Sequence, residues 1–293
     1  MSAPRSIGFL LHPGEQHAAD QAIARARAAG FEVWTAVDDP EGSMAEHDES
    51  TVLLVTVGGD GTFLYGARIA APRGVPVLGV NRGRLGFLAD IEVDDLPNAI
   101  TSFAAGEGIV QRRSLLEVTT NAIELRNPGP SVFALNEVVV RARGVNVVRL
   151  RVEADGDLIG EFDADGVVIS TATGSTAYAL SAGGPPVDPR LRALVVVPLA
   201  PHAVISRPVV IPEAVRVVVI VESGDVAMAA DGIPHAHLGD GGEVRVIPGP
   251  ELSVVRFVNS PTFFSRLREK FRFGVPNKEA LATVEPERRY GAS

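Results

Sequence analysis

Apolar residues in this chain gather in short runs bounded by glycine, proline or polar clusters. Ser6-Ile7-Gly8-Phe9-Leu10-Leu11, Phe31-Glu32-Val33-Trp34, Val52-Leu53-Leu54-Val55-Thr56-Val57 and the run from Val75 to Val80 each predict a strand. Between the first two, Ala19, Ala22, Ile23 and Ala26 share one helical face of the stretch from Glu15 to Ala29, and Gly30 supplies a left-handed stop. Thr62 to Arg68 and Asp94 to Ala105 read as two further helices, whereas the polar stretch from Asp38 to Ser50 reads as a loop. Alternating strands and helices predict an α/β domain built on an open parallel sheet with flanking helices.

From Ile109 the pattern changes to successive strands. Leu115 to Thr120, Val132 to Arg141, Val145 to Ala154 and Leu158 to Asp163 are separated by Asn127-Pro128-Gly129-Pro130, Gly144 and Asp155-Gly156, which are turn signals. Val167 to Ser170, Leu194 to Val197, Val215 to Glu222, Val226 to Ala230, Val244 to Val246 and Leu252 to Phe257 continue the series. The second domain is therefore expected to be mainly antiparallel and all-β. After it, Pro261-Thr262 caps a helix that sets Phe263, Leu267 and Phe271 four apart; a lone helix cannot bury that stripe, so it should pack on the first domain or on another subunit. The expected division is an α/β domain over 1–108, joined by the tail helix 261–275, a β-rich domain over 109–260, and a disordered terminus over 276–293.

Composition narrows the partners. No apolar run approaches the ~20 residues that span a bilayer, and Met1-Ser2-Ala3-Pro4-Arg5 leads into the first strand without a signal segment, so the expected location is cytoplasmic, with no membrane partner. The absence of cysteine excludes disulfide frameworks, thiolate zinc sites and cysteine nucleophiles. A net charge of −9 argues against nucleic acid or an anionic membrane surface. Lys270 and Lys278 are the only lysines, and neither follows a glycine, so there is no Walker-type phosphate loop.

Candidate chemistry begins where the third run ends, at Gly58-Gly59-Asp60-Gly61-Thr62. Sheet strands of this class place ligands at their carboxyl ends, and glycines followed by a helix start let backbone N–H groups approach a polyphosphate. A carboxylate repels phosphate, so Asp60 points to chemistry: orienting Mg²⁺ or taking a proton from an attacking hydroxyl. The plain alternative is an Asp-Gly turn. The next strand ends in Asn81-Arg82-Gly83-Arg84-Leu85-Gly86-Phe87, which should border the same crevice, with Arg82 and Arg84 either touching phosphates or solvated.

In the second domain, Asn136 and Glu137 interrupt an apolar strand. One should point inward, where a carboxylate calls for a ligand hydroxyl or an arginine, although spacing alone favours an exposed strand-end pair. Glu161, Asp163 and Asp165 alternate before Gly166 as in a calcium loop, but Ala172 occupies the twelfth position, which excludes that reading. The run from Ser170 to Pro185 packs hydroxyls into a strand-to-helix turn beyond what capping requires, and so suggests a nucleoside grip. His235 and His237 share a strand face without a third metal ligand, the pattern of exposed histidines; His202 has no support from spacing.

Taken together, Gly58 to Thr62, Asn81 to Leu88, Asn136-Glu137, Asp165 to Pro185, Pro201-His202 with Arg207-Pro208, Asp231-Gly232 and Phe264 to Arg268 resemble the bacterial NAD kinase family over about residues 52 to 272. The resemblance implies a kinase that phosphorylates the 2′-hydroxyl of the adenosine ribose of NAD to give NADP, with ATP or polyphosphate as donor and Mg²⁺ as cofactor. It implies Asp60 as the catalytic carboxylate, Gly58, Gly59, Gly61 and Thr62 on the donor phosphates, and Asn136, Glu137, Thr173, Thr176, Ala177, Tyr178 and Ser181 around NAD. Asp165 and Asp231 would lie near the dinucleotide; Phe87, Arg82 and Arg84 are further candidates. It also implies a homodimer or homotetramer. Ala172 departs from the family's proline. The glycine turn alone would also fit a lipid or sugar kinase, and a non-catalytic NAD(P) sensor is the reading from another class.

Overall fold

The structure, a computed structural model, describes residues 5–15, 17–83, 86–122, 124–125, 132–203 and 207–272. The first strands are β1 (Ser6–Leu11), β2 (Glu32–Ala36), β3 (Thr51–Gly58) and β4 (Val77–Asn81). They are parallel, in the order β4-β3-β1-β2. All of β1 and β4 and almost all of β3 are buried, as continuous apolar runs require when helices cover both faces. The helices are α1 (Asp20–Ala28), α2 (Pro40–Glu46), α3 (Asp60–Ala70) and α4 (Leu96–Ala104). Ala22, Ala26, Leu96 and Ile100 close one face of the sheet, and Met44, Phe63, Ala67 and Ala70 belong to the core on the other.

The stretch from Asp38 to Ser50 is not simply a loop. Asp39 caps α2 by accepting from the Gly42 N–H at 3.0 Å, Pro40 opens the helix, and Met44 is fully buried. One buried residue in seven is too short a pattern for periodicity to reveal, although Asp-Pro is itself a helix-start signal.

The rest of the first compact unit, which ends at Val258, is strand-rich. After the short β5 (Ile91–Glu92) come β6 (Ile109–Thr120), β7 (Glu124–Leu125), β8 (Val132–Ala134), β9 (Glu137–Ala142), β10 (Val148–Ala154), β11 (Asp157–Ala164) and β12 (Gly166–Thr171). A four-residue helix α5 (Tyr178–Ser181) precedes β13 (Ala193–Leu199), β14 (Val209–Pro212), β15 (Val217–Ser223), β16 (Val226–Ala230), β17 (Ile233–Leu238) and β18 (Glu243–Arg256). Two sheets face each other across a core that includes Val138, Val140, Val167 and Ile169 on one side and Leu150, Val152, Val219 and Val246 on the other. The opposite face of β9, β12 and β13 is buried too, because the chain from Ala172 to Val187 covers Val139, Val168, Val195 and Val197. That is why these strands read as unbroken valine runs instead of alternating.

Two expected strands differ from what is observed. The run from Val132 to Arg141 is two strands in different sheets, broken at Leu135-Asn136. Conversely, Val244 to Val246 and Leu252 to Arg256 belong to one strand, β18, which stops one residue before Phe257 and in which Pro248-Gly249-Pro250 makes a register shift against β6 instead of a turn. β18 pairs antiparallel with β15 and β6, and Val254 pairs parallel with Val77 of β4. One mixed sheet of eleven strands among the described residues therefore runs from the antiparallel half into the parallel half. A part-buried ion pair fastens this seam: Arg256 Nε donates to the buried Asp90 Oδ2 at 2.5 Å, and Arg256 Nη1 donates to Gln111 Oε1 at 3.0 Å.

A second compact unit begins at Asn259 and contains α6 (Phe263–Phe271), capped by Thr262, which accepts from the Ser265 N–H at 3.2 Å. Leu267 is buried, Phe263 half-buried and Phe271 exposed. Arg84, the 127–130 turn, Gly274, Pro276 and the expected terminus 276–293 lie outside the described residues. Among the described residues, no helix is long and apolar enough to cross a membrane.

Candidate active site

The parallel strands end together at one edge of the sheet. β3 stops at Gly58, and α3 starts two residues later with Gly59 as its N-cap in an extended conformation. No side chain caps that end; the Thr62 N–H turns back to Gly59 O at 3.1 Å, and the helix start carries the partial positive charge that favours an anion. The glycines divide by role. A Cβ on Gly58 would fall 2.4 Å from Thr62 Oγ1 and 3.1 Å from His12 Cβ, so this residue is a packing requirement. A Cβ on Gly59 or Gly61 would meet nothing within 4 Å, so these two keep the backbone uncovered. Asp60 is the exposed first residue of the helix, and its carboxylate lies against Gly86, where a Cβ would be 2.1 Å from Oδ1.

Of the arginines after β4, Arg82 is tied to the loop after β1: its Nε lies 2.7 Å from Glu15 Oε1. Its side chain is still two-thirds exposed, at 67%. Phe87 is half-buried beside Gly86.

The second group of candidates is organised by Asp231. Its backbone is left-handed (φ 46°), and its carboxylate accepts from three successive N–H groups: Leu135 at 2.9 Å, Asn136 at 2.8 Å and Glu137 at 3.2 Å. This grip breaks the ladder at Leu135-Asn136 and turns the chain from β8 into β9. Burial raises the Asp231 carboxyl pKa, opposed by the three N–H bonds and by the nearby Arg68. The turn after β12 locks onto the same kink. Thr171 donates through Oγ1 to Leu135 O at 2.6 Å, Ser170 Oγ donates to Asn136 O at 3.1 Å, and a Cβ on Gly174 would strike Asn136 O at 2.0 Å.

Part of the hydroxyl excess in this block is therefore structural, contrary to the sequence expectation. Ser170 and Thr171 hold the kink, while Ser175 Oγ donates to Ala172 O at 2.7 Å and accepts from Val187 N–H at 2.8 Å. Thr173 is buried, whereas Thr176 and Ala177 are half-buried and Tyr178 and Ser181 are exposed on α5, so these last four remain at the surface that a ligand could meet.

Glu137 is not the exposed strand-end residue that its spacing favours. It is 7% exposed, accepts from the Tyr178 backbone N–H, and its Oε2 is buried without a hydrogen-bond partner. Burial, with Asp231 as the second cause, pushes its pKa up to about 7. Because the folded value lies above 4.5, folded-state stability from this group is fully present below pH 4.5 and lost as pH rises through about 7. Glu137→Gln is expected to raise stability at pH 8 by roughly 2–3 kcal/mol and to change little at pH 4.5. Thermal melts at both values check this; a difference between variant and parent that does not grow with pH would refute it.

The two groups meet at α3. Phe63, one turn beyond Asp60, lines a small void together with Leu88, Leu135, Thr173, Val254 and Arg113. The glycine turn and the Asn136 kink are thus neighbours. Asp165 does not join them. β12 pairs antiparallel with β9 so that Ser170 faces Glu137, and Asp165 precedes the other end of the strand, about 16 Å away at ~3.3 Å per residue. His235 is buried at 9% exposure with both ring nitrogens unpartnered, which corrects its reading as an exposed histidine; burial, then Arg68, lowers its pKa. No cluster of three or more potential metal-ligating side chains occurs among the described residues.

Sequence reasoning missed Arg113 and Gly86, as well as the way Asp231 acts. Arg113 carried a readable signal, since Gln111, Arg113 and Leu115 alternate onto one face of β6 and Leu115 is fully buried.

Comparison with known proteins agrees with this geometry. The family described as "ATP-NAD kinase N-terminal domain" matches residues 9–108, and "ATP-NAD kinase C-terminal domain" matches residues 135–259. An NAD kinase of Heliobacterium modesticaldum is 42% identical over 81% of this chain and 84% of its own length. One from Moorella thermoacetica is 37% identical over 85% and 81%. Among solved structures, yeast NADH kinase complexed with NADH matches the fold with a TM-score of 0.77 at 22% identity, over 94% of this chain and 90% of the other. An NAD kinase from Archaeoglobus fulgidus in complex with ATP matches with a TM-score of 0.69 at 26% identity, over 91% and 97%. The chain belongs to the NAD kinase family.

Proposed function

We propose that the enzyme transfers a phosphoryl group to the 2′-hydroxyl of the adenosine ribose of NAD, giving NADP, with ATP or polyphosphate as donor. The observation that carries this reading is the placement of Asp60, an exposed carboxylate at the uncapped start of α3, one turn from a void that Thr173 and Leu135 also line. The N–H groups around Gly59 and Gly61 hold donor phosphates. Asn136, Glu137, Thr173, Thr176, Ala177, Tyr178 and Ser181 hold the adenosine side of NAD, and a ribose hydroxyl donating to Glu137 Oε2 gives that orphaned atom a partner. The 2′-oxygen forms the new bond to the terminal phosphorus while the bridging P–O bond breaks, and the hydroxyl proton passes to Asp60.

Mg²⁺ fits this site as an ion carried by the donor phosphates, with Asp60, an exposed carboxylate at the start of α3, as the protein group beside it. When bound it neutralises charge on the phosphates. A homodimer or homotetramer in the cytoplasm completes the proposal.

The test is incubation of the full chain with NAD, Mg²⁺ and either ATP or polyphosphate, with NADP read by an NADP-specific dehydrogenase. Formation of NADP with either donor is expected; its absence with both overturns the reading. Diacylglycerol and 6-phosphofructose as acceptors separate it from a lipid or sugar kinase, and turnover itself separates it from a sensor.

A further inference from the structure

His12 is the residue at which β1 leaves the sheet, and its surroundings fix it beside the glycine turn. Its N–H donates to Val57 O at 2.9 Å, so it stands opposite Gly58 at the ends of neighbouring parallel strands. His12 Cβ and Thr62 Oγ1 flank the side chain that Gly58 lacks: a Cβ there would lie 3.1 Å from the first and 2.4 Å from the second. His12-Pro13-Gly14-Glu15 then forms a type II turn, closed by the Glu15 N–H donating to His12 O at 2.9 Å, with Gly14 supplying the positive φ of 91° that this turn needs. The ring is held as well. Nδ1 lies 2.9 Å from Pro13 O, and because a carbonyl oxygen only accepts, Nδ1 carries the hydrogen. Nε2 has no partner among the described residues, and the side chain is exposed.

Sheet order decides which ligand this nitrogen meets. β3, which carries the glycine turn, lies between β4 and β1. On the β4 side, Gly86 abuts the Asp60 carboxylate, and Leu88 joins Phe63, Leu135 and Thr173, so the nucleoside residues approach from there. His12 stands on the β1 side, the flank of the turn away from that group. Glu15, the carboxylate of its own turn, is engaged by Arg82 Nε at 2.7 Å and so adds little repulsion toward an anion. We propose that His12 binds a phosphate oxygen of the phosphoryl donor, donating from Nε2 while Nδ1 stays on Pro13 O, with a proton on both ring nitrogens in the complex. The proposal rests on the phosphoryl-transfer reading above and assigns the donor's phosphates to the flank of the turn opposite NAD.

Tripolyphosphate with Mg²⁺ is the probe, because it carries the donor's phosphates and has no nucleoside to enter the other half of the site. Calorimetric titration of the full chain with tripolyphosphate and with NAD, for the parent, His12→Leu and His12→Gln, tests the proposal without turnover. His12→Leu is expected to weaken tripolyphosphate by about tenfold, the loss of one charge-assisted hydrogen bond, and to leave NAD within about twofold. His12→Gln, whose amide donates at a similar reach, should stay within about threefold of the parent for both. Tripolyphosphate binding within about twofold of the parent in His12→Leu, a matching loss for NAD, or a His12→Gln protein as weak as His12→Leu overturns the proposal, as does a parent that does not bind tripolyphosphate. A second measurement needs no folded leucine variant. The His12 ring-proton resonance of the parent, assigned by its disappearance in His12→Gln, should move when tripolyphosphate is added, and an unmoved resonance also overturns the proposal. If the parent binds tripolyphosphate and NAD yet forms no NADP, the reaction reading fails while the His12 contact stands. If NADP forms and His12→Leu keeps its tripolyphosphate affinity, only the His12 contact falls.

Discussion

Asp60→Asn is expected to lower the rate of NADP formation by about a thousandfold while NAD binding by calorimetry stays within about threefold, the range set by losing a general base from an otherwise intact site. The two side chains are nearly isosteric, and the asparagine amide cannot accept the proton released by the ribose hydroxyl. Binding should survive because the residues proposed to hold the nucleoside lie on β9, on the turn after β12 and on α5, where Asp231 holds the Asn136 backbone and Thr171 ties the turn to Leu135. Gly86→Ala supplies an independent check. A methyl there cannot coexist with the present Asp60 carboxylate, which would lie 2.1 Å away, so the carboxylate must move and turnover should fall by about tenfold or more. Residual turnover in Asp60→Asn within tenfold of the parent would remove the assigned role.

Asp231→Ala should destabilise the protein by roughly 3 kcal/mol and abolish measurable NAD binding. The carboxylate is the acceptor for three backbone N–H groups, and Leu135 beside it is fully buried, so its loss strands donors where water cannot easily reach them. Alanine also tolerates the left-handed backbone at φ 46° less well than aspartate, by about 1 kcal/mol. Without that anchor, β8 and β9 lose the kink that aims Asn136 and Glu137. Asp231→Asn keeps the backbone preference and one acceptor oxygen, and should lose about half as much. Denaturant unfolding measures the first effect and NAD titration the second; an Asp231→Ala protein as stable as the parent would show that the three bonds contribute nothing net.

Legibility in the sequence follows physical range. Strands whose faces are both buried, such as β3 and β12, announce themselves as apolar runs, and the glycine turn is local because a strand end, an N-cap and a helix start are adjacent in sequence. The role of Asp231 was hidden because its partners are about a hundred positions earlier, and no spacing rule relates them. Glu137 misled for the same reason: local pattern favoured exposure, but the covering turn comes from residues 171–178. Ser170, Thr171 and Ser175 show the converse error, since hydroxyls that look like ligand contacts in a string are spent on backbone carbonyls once the turn folds.

β18 bears on how the molecule is made. Leu252, Val254 and Val255 belong to the two cores that flank the parallel sheet, and Val254 pairs with β4. On the ribosome, residues 9–108 emerge first, yet those cores stay incomplete until residue 256 has cleared the exit tunnel. The amino-terminal third must wait, partly formed and with the side of β4 that β18 will occupy uncovered, for about 150 residues of synthesis, roughly 8–30 s at ~5–20 residues per second. Cutting the gene at the family boundary would make that waiting state permanent.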